Sequence, residues 1–450
     1  MIYLDNAATT PMDVQVISKM TKYFALDFAN ASASYSFADR AKEAVDDARD
    51  FIADMIGAKS PSEIYFTSGG SEGDNWALTC LDADKILAGR KGNTLKASSG
   101  QEAANDPLPC DPSQTISDNR IMAVKAAQGH IITQKTEHHA VLNTCAFLEK
   151  KGIDVTYLNV DEYGLVDPAD VEKAVRPDTF LISIMMANNE TGTIQPVKEI
   201  GRIAHDHGIC FFTDAVQAFG HIPINVRDQN IDMMSVSAHK FNGPKGVGFM
   251  YIKNGIPVHS LIHGGAQERG RRAGTTNVPG IAGLAEAARL KKESMARDIK
   301  YVSGLRDSFE RQIIENIEGV KINGFSITDI EGTDRSPAEG RRKQTAIDGA
   351  ADSEYIHFRR LPNNLNICIP GISAEALLIL LDRKGICASA GSACATGSLE
   401  PSHVLRAIGL SNEDAAASIR FSLSEQTTEE EIKETVKVLR ESVRRLRSLM

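Results

Sequence analysis

Seven short apolar runs punctuate the first 260 residues: Glu63–Thr67, His130–Thr133, Val155–Leu158, Thr179–Met186, Ile209–Thr213, Met233–Val236 and Val247–Ile252. Each is too short for a helix and rich in β-branched or aromatic side chains, so each predicts a buried strand. Stretches of helical period lie between them, such as Pro196–His207. Buried strands alternating with helices build βαβ units and a mostly parallel sheet. The expected fold class is therefore α/β.

The last third follows a different pattern. Ile299, Val302, Leu305, Phe309 and Ile313 recur every three or four residues and predict a long helix over Glu286–Glu318. Thr428 followed by Glu431 fits a capping box. Ile432, Val436, Leu439, Val443 and Leu446 then continue as the apolar face of a packed C-terminal helix. A second, smaller α+β unit is expected there. Two stretches without periodicity, 91–119 and 326–357, predict surface insertions, the first polar and the second charged.

Composition narrows the functions. The chain has 450 residues, 42% hydrophobic and 24% charged, so it can build a large core without metal or disulfide staples. Acidic residues outnumber basic ones, 59 to 50, and the basic residues form no long block. Nucleic-acid and anionic-membrane binding are disfavoured. A single tryptophan, Trp76, argues against a base-stacking surface. No apolar run approaches the ~20 residues of a membrane span. The opening MIYLDNAATTP has neither the basic nor the apolar region of a signal peptide, so a cytoplasmic protein is expected. Seven cysteines without a CxxC pair predict reduced thiols and no zinc ribbon. Adjacent His138 and His139 lack the spacing of a metal motif, and no metal site is expected.

Several segments carry chemistry at predicted strand ends. After Phe66-Thr67, Gly69 and Gly70 turn the chain into a helix that begins near Ser71. Backbone N–H groups and the helix dipole converge there, which suits a phosphate; an ordinary capped turn is the alternative. Ser237-Ala-His239-Lys240 ends another strand, where a partly desolvated lysine can form a Schiff base; otherwise it is a surface lysine. Asp214 ends a third strand, placed to pair with a protonated ring nitrogen or to cap a helix. Thr136-Glu-His138-His and Asn188-Asn189-Glu-Thr-Gly192 put polar side chains at two more strand ends. Cys394 sits among glycines and small residues, which suits a reactive thiol better than a packed one. Arg420, in the strand-like Ser418–Ser422, can clamp a carboxylate or form a surface ion pair.

Taken together, these segments resemble the cysteine desulfurases, pyridoxal-phosphate enzymes related to the class V aminotransferases. The matching pieces are Tyr3–Pro11, TSGGSEGDN, TEHHAV, NNETG, TDAVQ, SAHK, Gly264–Asn277, Gly391–Gly409 and SIRFSL, in the family's order. The segment after Cys394 is similar to the nitrogen-fixation and iron–sulfur-assembly branch. The resemblance implies transferase fold type I with a seven-stranded, mostly parallel sheet. The large cofactor domain would be 13–260, and the small domain 1–12 with 261–450. The thiol loop would be 388–402.

The resemblance also implies roles. Lys240 would hold pyridoxal 5'-phosphate covalently and move the substrate's α-proton. Asp214 would pair with the ring nitrogen, and His138 would stack on the ring and transfer protons. Asn189 and Gln217 would reach the phenolic oxygen. Gly70, Ser71, Ser237 and His239 would hold the phosphate. Thr275 would join them from the other subunit of a homodimer. Arg420, with Asn189, would bind the carboxylate of L-cysteine. Cys394 would take the sulfur as a persulfide, releasing alanine, and pass it to an iron–sulfur scaffold protein. One stretch departs from the family pattern: Tyr35 stands where a histidine is usual. A selenocysteine lyase, another class V aminotransferase and a non-catalytic sulfur-relay platform are the alternatives.

Overall fold

The computed structural model describes residues 1–96, 129–331, 359–390 and 401–449. In chain order, the first part comprises β1 (Ile2–Tyr3), α1 (Val14–Ala25), α2 (Asp39–Met55), β2 (Ile64–Thr67), α3 (Gly70–Cys80), α4 (Ala83–Lys96), β3 (His130–Gln134), α5 (His139–Glu149), β4 (Asp154–Leu158), α6 (Pro168–Ala174), β5 (Thr179–Ser183), α7 (Val197–Asp206), β6 (Cys210–Asp214), β7 (Met233–Ser237) and β8 (Gly248–Ile252). The second part comprises α8 (Val278–Asn316), β9 (Lys321–Ile322), α9 (Ile327–Glu331), β10 (Asn364–Cys368), α10 (Ala374–Asp382), β11 (Ile386–Cys387), α11 (His403–Ala407), α12 (Asn412–Ala416), β12 (Ser418–Ser422) and α13 (Glu429–Arg447).

All seven apolar runs enter one sheet, in the order β2-β8-β7-β6-β5-β3-β4. The strands from β7 to β4 are mutually parallel, whereas β8 pairs antiparallel with both β2 and β7. Strands β2, β3, β5, β6, β7 and β8 are buried along their whole length. Two hydrophobic clusters cover the two faces, one with α1, α2 and α7, the other with α3 and α5. This burial on both faces explains why the runs read as continuous apolar stretches rather than alternating ones.

A third cluster joins β10, β12, α10, α13 and the second half of α8. There β10 lies between β9 and β12 in an antiparallel sheet, while β1 pairs with β11. Ile432, Val436, Leu439 and Val443 bury the predicted face of α13, and Thr428 and Glu431 form the reciprocal capping box. The long helix α8 lies wholly after the sequence division drawn at 260/261, yet it spans both clusters. Its first turns, with Val278, Ile281 and Leu284, pack in the large cluster, and Val302 to Ile313 pack in the small one.

Three elements differ from expectation. The run Thr179–Met186 leaves the strand at Ser183, because the Met185 N–H turns to the Glu137 carboxylate. Helix α8 begins at Val278 rather than near Glu286, where Asn277 accepts from the Gly280 N–H and Pro279 occupies the first turn. The two insertions begin as helix: α4 continues to Lys96 and α9 covers Ile327–Glu331. Residues 97–119 and 332–357 of these insertions lie outside the described residues. No described helix is long and apolar enough to cross a membrane.

Candidate active site

The carboxyl ends of β3, β5, β6 and β7 converge on one opening, the place where open α/β sheets bind ligands. Asp214 is the last residue of β6 and faces Ser235 of β7 across the ladder. Burial pushes its carboxyl up to about 6, while the Val216 N–H (2.8 Å from Oδ1) and the nearby Lys240 amine oppose the shift. Beneath it, Asp74 of α3 accepts from Ser235 Oγ at 2.6 Å. Burial and the Asp214 charge push Asp74 far above the carboxylate range. A buried carboxylate whose neighbour keeps its proton is suited to a cationic partner.

Lys240 ends the short 3₁₀ turn Ala238–Lys240 that follows β7. Its amine donates to the carbonyls of Ala7 and Ala8, at 2.7 and 2.8 Å. Gln217 Nε2 donates to the same Ala7 oxygen at 2.9 Å. His239 pairs with Thr9 Oγ1 at 3.1 Å, and burial beside Lys240 and Lys245 lowers its pKa to about 4. The N-terminal segment thus threads across the site and touches three of the expected cofactor residues.

His138 caps α5: its Nδ1 accepts from the Ala140 N–H at 3.1 Å. The ring therefore carries its proton on Nε2. Burial, with Lys240, His139 and His403 nearby, lowers its pKa to about 4, so it is neutral at physiological pH.

The phosphate side is formed by the start of α3. Gly69 has φ 152°, a backbone state that only glycine adopts readily, and opens the helix end. A Cβ on Gly70 would lie 2.5 Å from Val216 Cγ2, so glycine is required for this close approach. Ser237 is buried beside both glycines: a Cβ on Gly69 would be 3.4 Å from its hydroxyl. Ser71 is exposed on the first turn of α3.

Arg420 of β12 is 2% exposed and completes the opposite wall. Its Nη1 donates to the Asn189 carbonyl at 2.9 Å and its Nη2 to Asp5 Oδ1 at 2.8 Å, while Nε is buried without a partner. Thr275 lies exposed in the loop before α8. Cys394 lies outside the described residues. Downstream, two described residues are anchored in the site: Ser402 Oγ donates to Glu190 Oε2 at 2.5 Å, and His403 Nε2 to the Glu137 carbonyl at 2.9 Å. Tyr35 is 55% exposed and precedes a short 3₁₀ turn. Among the described residues no cluster of three or more His, Cys, Asp or Glu side chains can hold a metal.

The structure thus brings together Lys240, Asp214, Gln217, His138, Asn189, Ser237, His239, Gly70 and Arg420. The sequence reading missed Asp5, Asp74, Glu137 and Glu190. All four fall inside segments singled out above, but only their tertiary pairings give them a place in the site.

The residues fit pyridoxal phosphate. The glycine-lined helix end would take the phosphate, the buried aspartate would take the ring nitrogen, and Lys240 stands at the same opening. This fold and donor set define a pyridoxal-phosphate-dependent transferase of fold type I. The family model described as aminotransferase class V matches residues 2–99, 114–333 and 339–435, and the chain belongs to that family. The cysteine desulfurase IscS of Clostridium botulinum is 43% identical over 449 residues, covering 100% of this chain and 96% of that protein. The cysteine desulfurase IscS of Methanosarcina thermophila is 42% identical, with 100% and 93% covered. A solved NifS-like protein superposes with TM-score 0.76 at 34% identity, covering 99% of this chain and 100% of that one. SspA in complex with cysteine gives TM-score 0.70 at 34% identity, covering 95% and 100%.

Proposed function

We propose that the protein is a cysteine desulfurase that converts L-cysteine to L-alanine and moves the sulfur to Cys394. The observation that carries this reading is the convergence of Lys240, the buried Asp214 and the half-paired Arg420 on one opening. Bound pyridoxal phosphate supplies an electron sink for the carbon that bears the substrate's amino group. Gly70, Ser71, Ser237 and His239 would hold its phosphate, with Thr275 of a second copy, which makes a homodimer the working unit. Asp214 would hold the ring's protonated nitrogen, while Asn189 and Gln217 would reach its phenolic oxygen.

The chain's own residues do the rest. The Arg420 edge with its unpartnered Nε takes the substrate carboxylate bidentately. Lys240 moves the α-proton, and neutral His138 takes part in the proton transfers beside it. The Cys394 thiolate attacks the substrate sulfur: an S–S bond forms, the carbon–sulfur bond breaks, and the carbon takes a proton and leaves as alanine. The resulting persulfide passes to an acceptor, which we take to be an iron–sulfur scaffold protein. A reaction that cycles a free thiol suits the reducing cytoplasm.

The test is alanine formed from L-cysteine, with reductant and added pyridoxal phosphate, by the wild type and Cys394→Ala. Alanine from the wild type alone supports the reading. Equal alanine from both would exclude transfer through Cys394. A coloured protein that forms none would exclude L-cysteine as the substrate of the protein acting alone.

A further inference from the structure

The amine of Lys240 has an assigned task, but the residue is also held through its main chain. The carbonyl of Lys240 accepts a hydrogen bond from His221 Nε2 at 3.0 Å. A carbonyl only accepts, so the imidazole carries its proton on Nε2. The 3₁₀ turn has few bonds of its own. The Phe241 and Gly243 N–H groups both return to the Ala238 carbonyl, and that of His239 is taken by Thr10. His221 adds a side-chain donor to the Lys240 carbonyl.

The local chain is shaped for this contact. His221 closes the segment Ala215–Ile222 that follows β6, so Asp214, Gln217 and His221 lie within eight residues. Gly220 has φ +81°, and a Cβ there would stand 2.9 Å from the Cβ of Phe241, the residue after Lys240. The glycine lets the two segments approach until the imidazole reaches the carbonyl.

The far side of His221 meets both units. His221, Lys291, Asp298, Asn363 and Glu425 line a small, partly open pocket. Lys291 of α8 pairs with Glu425 at 3.0 Å, and Glu425 lies five residues beyond Arg420. The charged groups facing His221 are Lys291 and Asp298 from α8 and Glu425 from the segment after β12, whereas Lys240 meets it through its main-chain carbonyl. Burial and the Lys291 charge lower its pKa to about 4, so the imidazole remains neutral at physiological pH.

We propose that His221 is a positioning residue for Lys240: by donating to the lysine's own carbonyl, it fixes the turn that aims the amine. This rests on the reading of Lys240 as the residue that carries the cofactor and moves the α-proton. Proton transfer is steep in distance, so a turn relaxed by a fraction of an ångström slows turnover while leaving substrate binding at Arg420 nearly intact.

The test compares His221→Gln, His221→Asn and His221→Phe as holoproteins. The Gln amide can place an N–H near the position of Nε2, the shorter Asn amide cannot, and Phe has no donor. Two quantities are read: the pH midpoint of the cofactor's visible band without substrate, and the split of kcat against KM for L-cysteine. Expected are a kcat about tenfold lower in the Phe and Asn variants with KM within about twofold, a displaced midpoint, and recovery of both quantities in the Gln variant. If His221→Phe does not fold, the Gln–Asn pair decides. Wild-type kcat and midpoint in the Asn variant, or a Gln variant as impaired as the Asn variant, would overturn the proposal. A wild type that binds the cofactor but forms no alanine refutes the functional reading instead, and the substrate-free midpoint still judges His221.

Discussion

Arg420 and Asp5 form a 2.8 Å ion pair that ties the chain's fifth residue to strand β12. Three residues on, the Ala8 carbonyl accepts from Lys240 Nζ. The N-terminal segment therefore links the carboxylate site and the amine. Arg420 serves Asn189, Asp5 and, in the proposed reaction, a substrate carboxylate through three edges of one planar group.

A lysine cannot reproduce that fork. Arg420→Lys is expected to raise KM for L-cysteine by about tenfold or more, with the amount of bound cofactor unchanged. Steady-state kinetics on the reconstituted protein checks this. An unchanged KM would place the substrate carboxylate elsewhere.

Gly70 makes a steric prediction. A methyl group there meets Val216 Cγ2 at 2.5 Å, so Gly70→Ala forces the start of α3 away from the segment after Asp214. The expected cost is about 1–3 kcal/mol of stability, with weaker cofactor retention. Adding Val216→Ala removes the opposing methyl group and restores both. Thermal unfolding of the apo protein and cofactor retained after gel filtration are the measurements, and failure of the double variant to recover would rule out the contact as the cause.

These two sites show what the sequence could reveal. Lys240, Asp214, Ser237 and Gly70 were legible because each sits at the end of a buried apolar run, and a strand end in a parallel sheet is a place with known geometry. Asp74 was not legible. It lies inside α3, and its importance comes from Ser235 and Asp214, 161 and 140 residues away in sequence. His221 was hidden for the same reason, as was the early end of β5, which follows from a bond to Glu137 that no periodicity encodes. The start of α8 did leave a signal in Asn277 and Pro279, but the apolar pattern that locates a helix strengthens only later in the segment.

His138 predicts a pH effect with a definite sign. Its pKa is about 4 in the fold, below the ordinary 6.5 of a free histidine. The unfolded chain takes up the proton first, so the folded state loses stability as pH falls through this window and is favoured above it. His138→Asn keeps an acceptor for the Ala140 N–H but does not titrate. Relative to this variant, the apo wild type should lose up to about 3 kcal/mol between pH 6.5 and 4. Denaturant melts of both proteins across that range test it, and parallel curves would mean that His138 is protonated in the fold.

Asp214 predicts the opposite slope. Its carboxyl is raised to about 6 by burial, above the 3.8 of an exposed aspartate. Between those values the folded state holds the extra proton, so the aspartate costs the apo protein stability as pH rises toward 7. Asp214→Asn removes that charge while keeping an oxygen for the Val216 N–H. The apo variant should therefore gain on the wild type from pH 4 to pH 7. In the presence of pyridoxal phosphate the order should reverse, because only the carboxylate can hold the protonated ring nitrogen. Melts of both proteins with and without the cofactor separate these effects. If the apo variant instead fell behind the wild type as pH rose, the Lys240 amine, rather than burial, would dominate the carboxylate, and Asp214 would be ionised before any cofactor arrived.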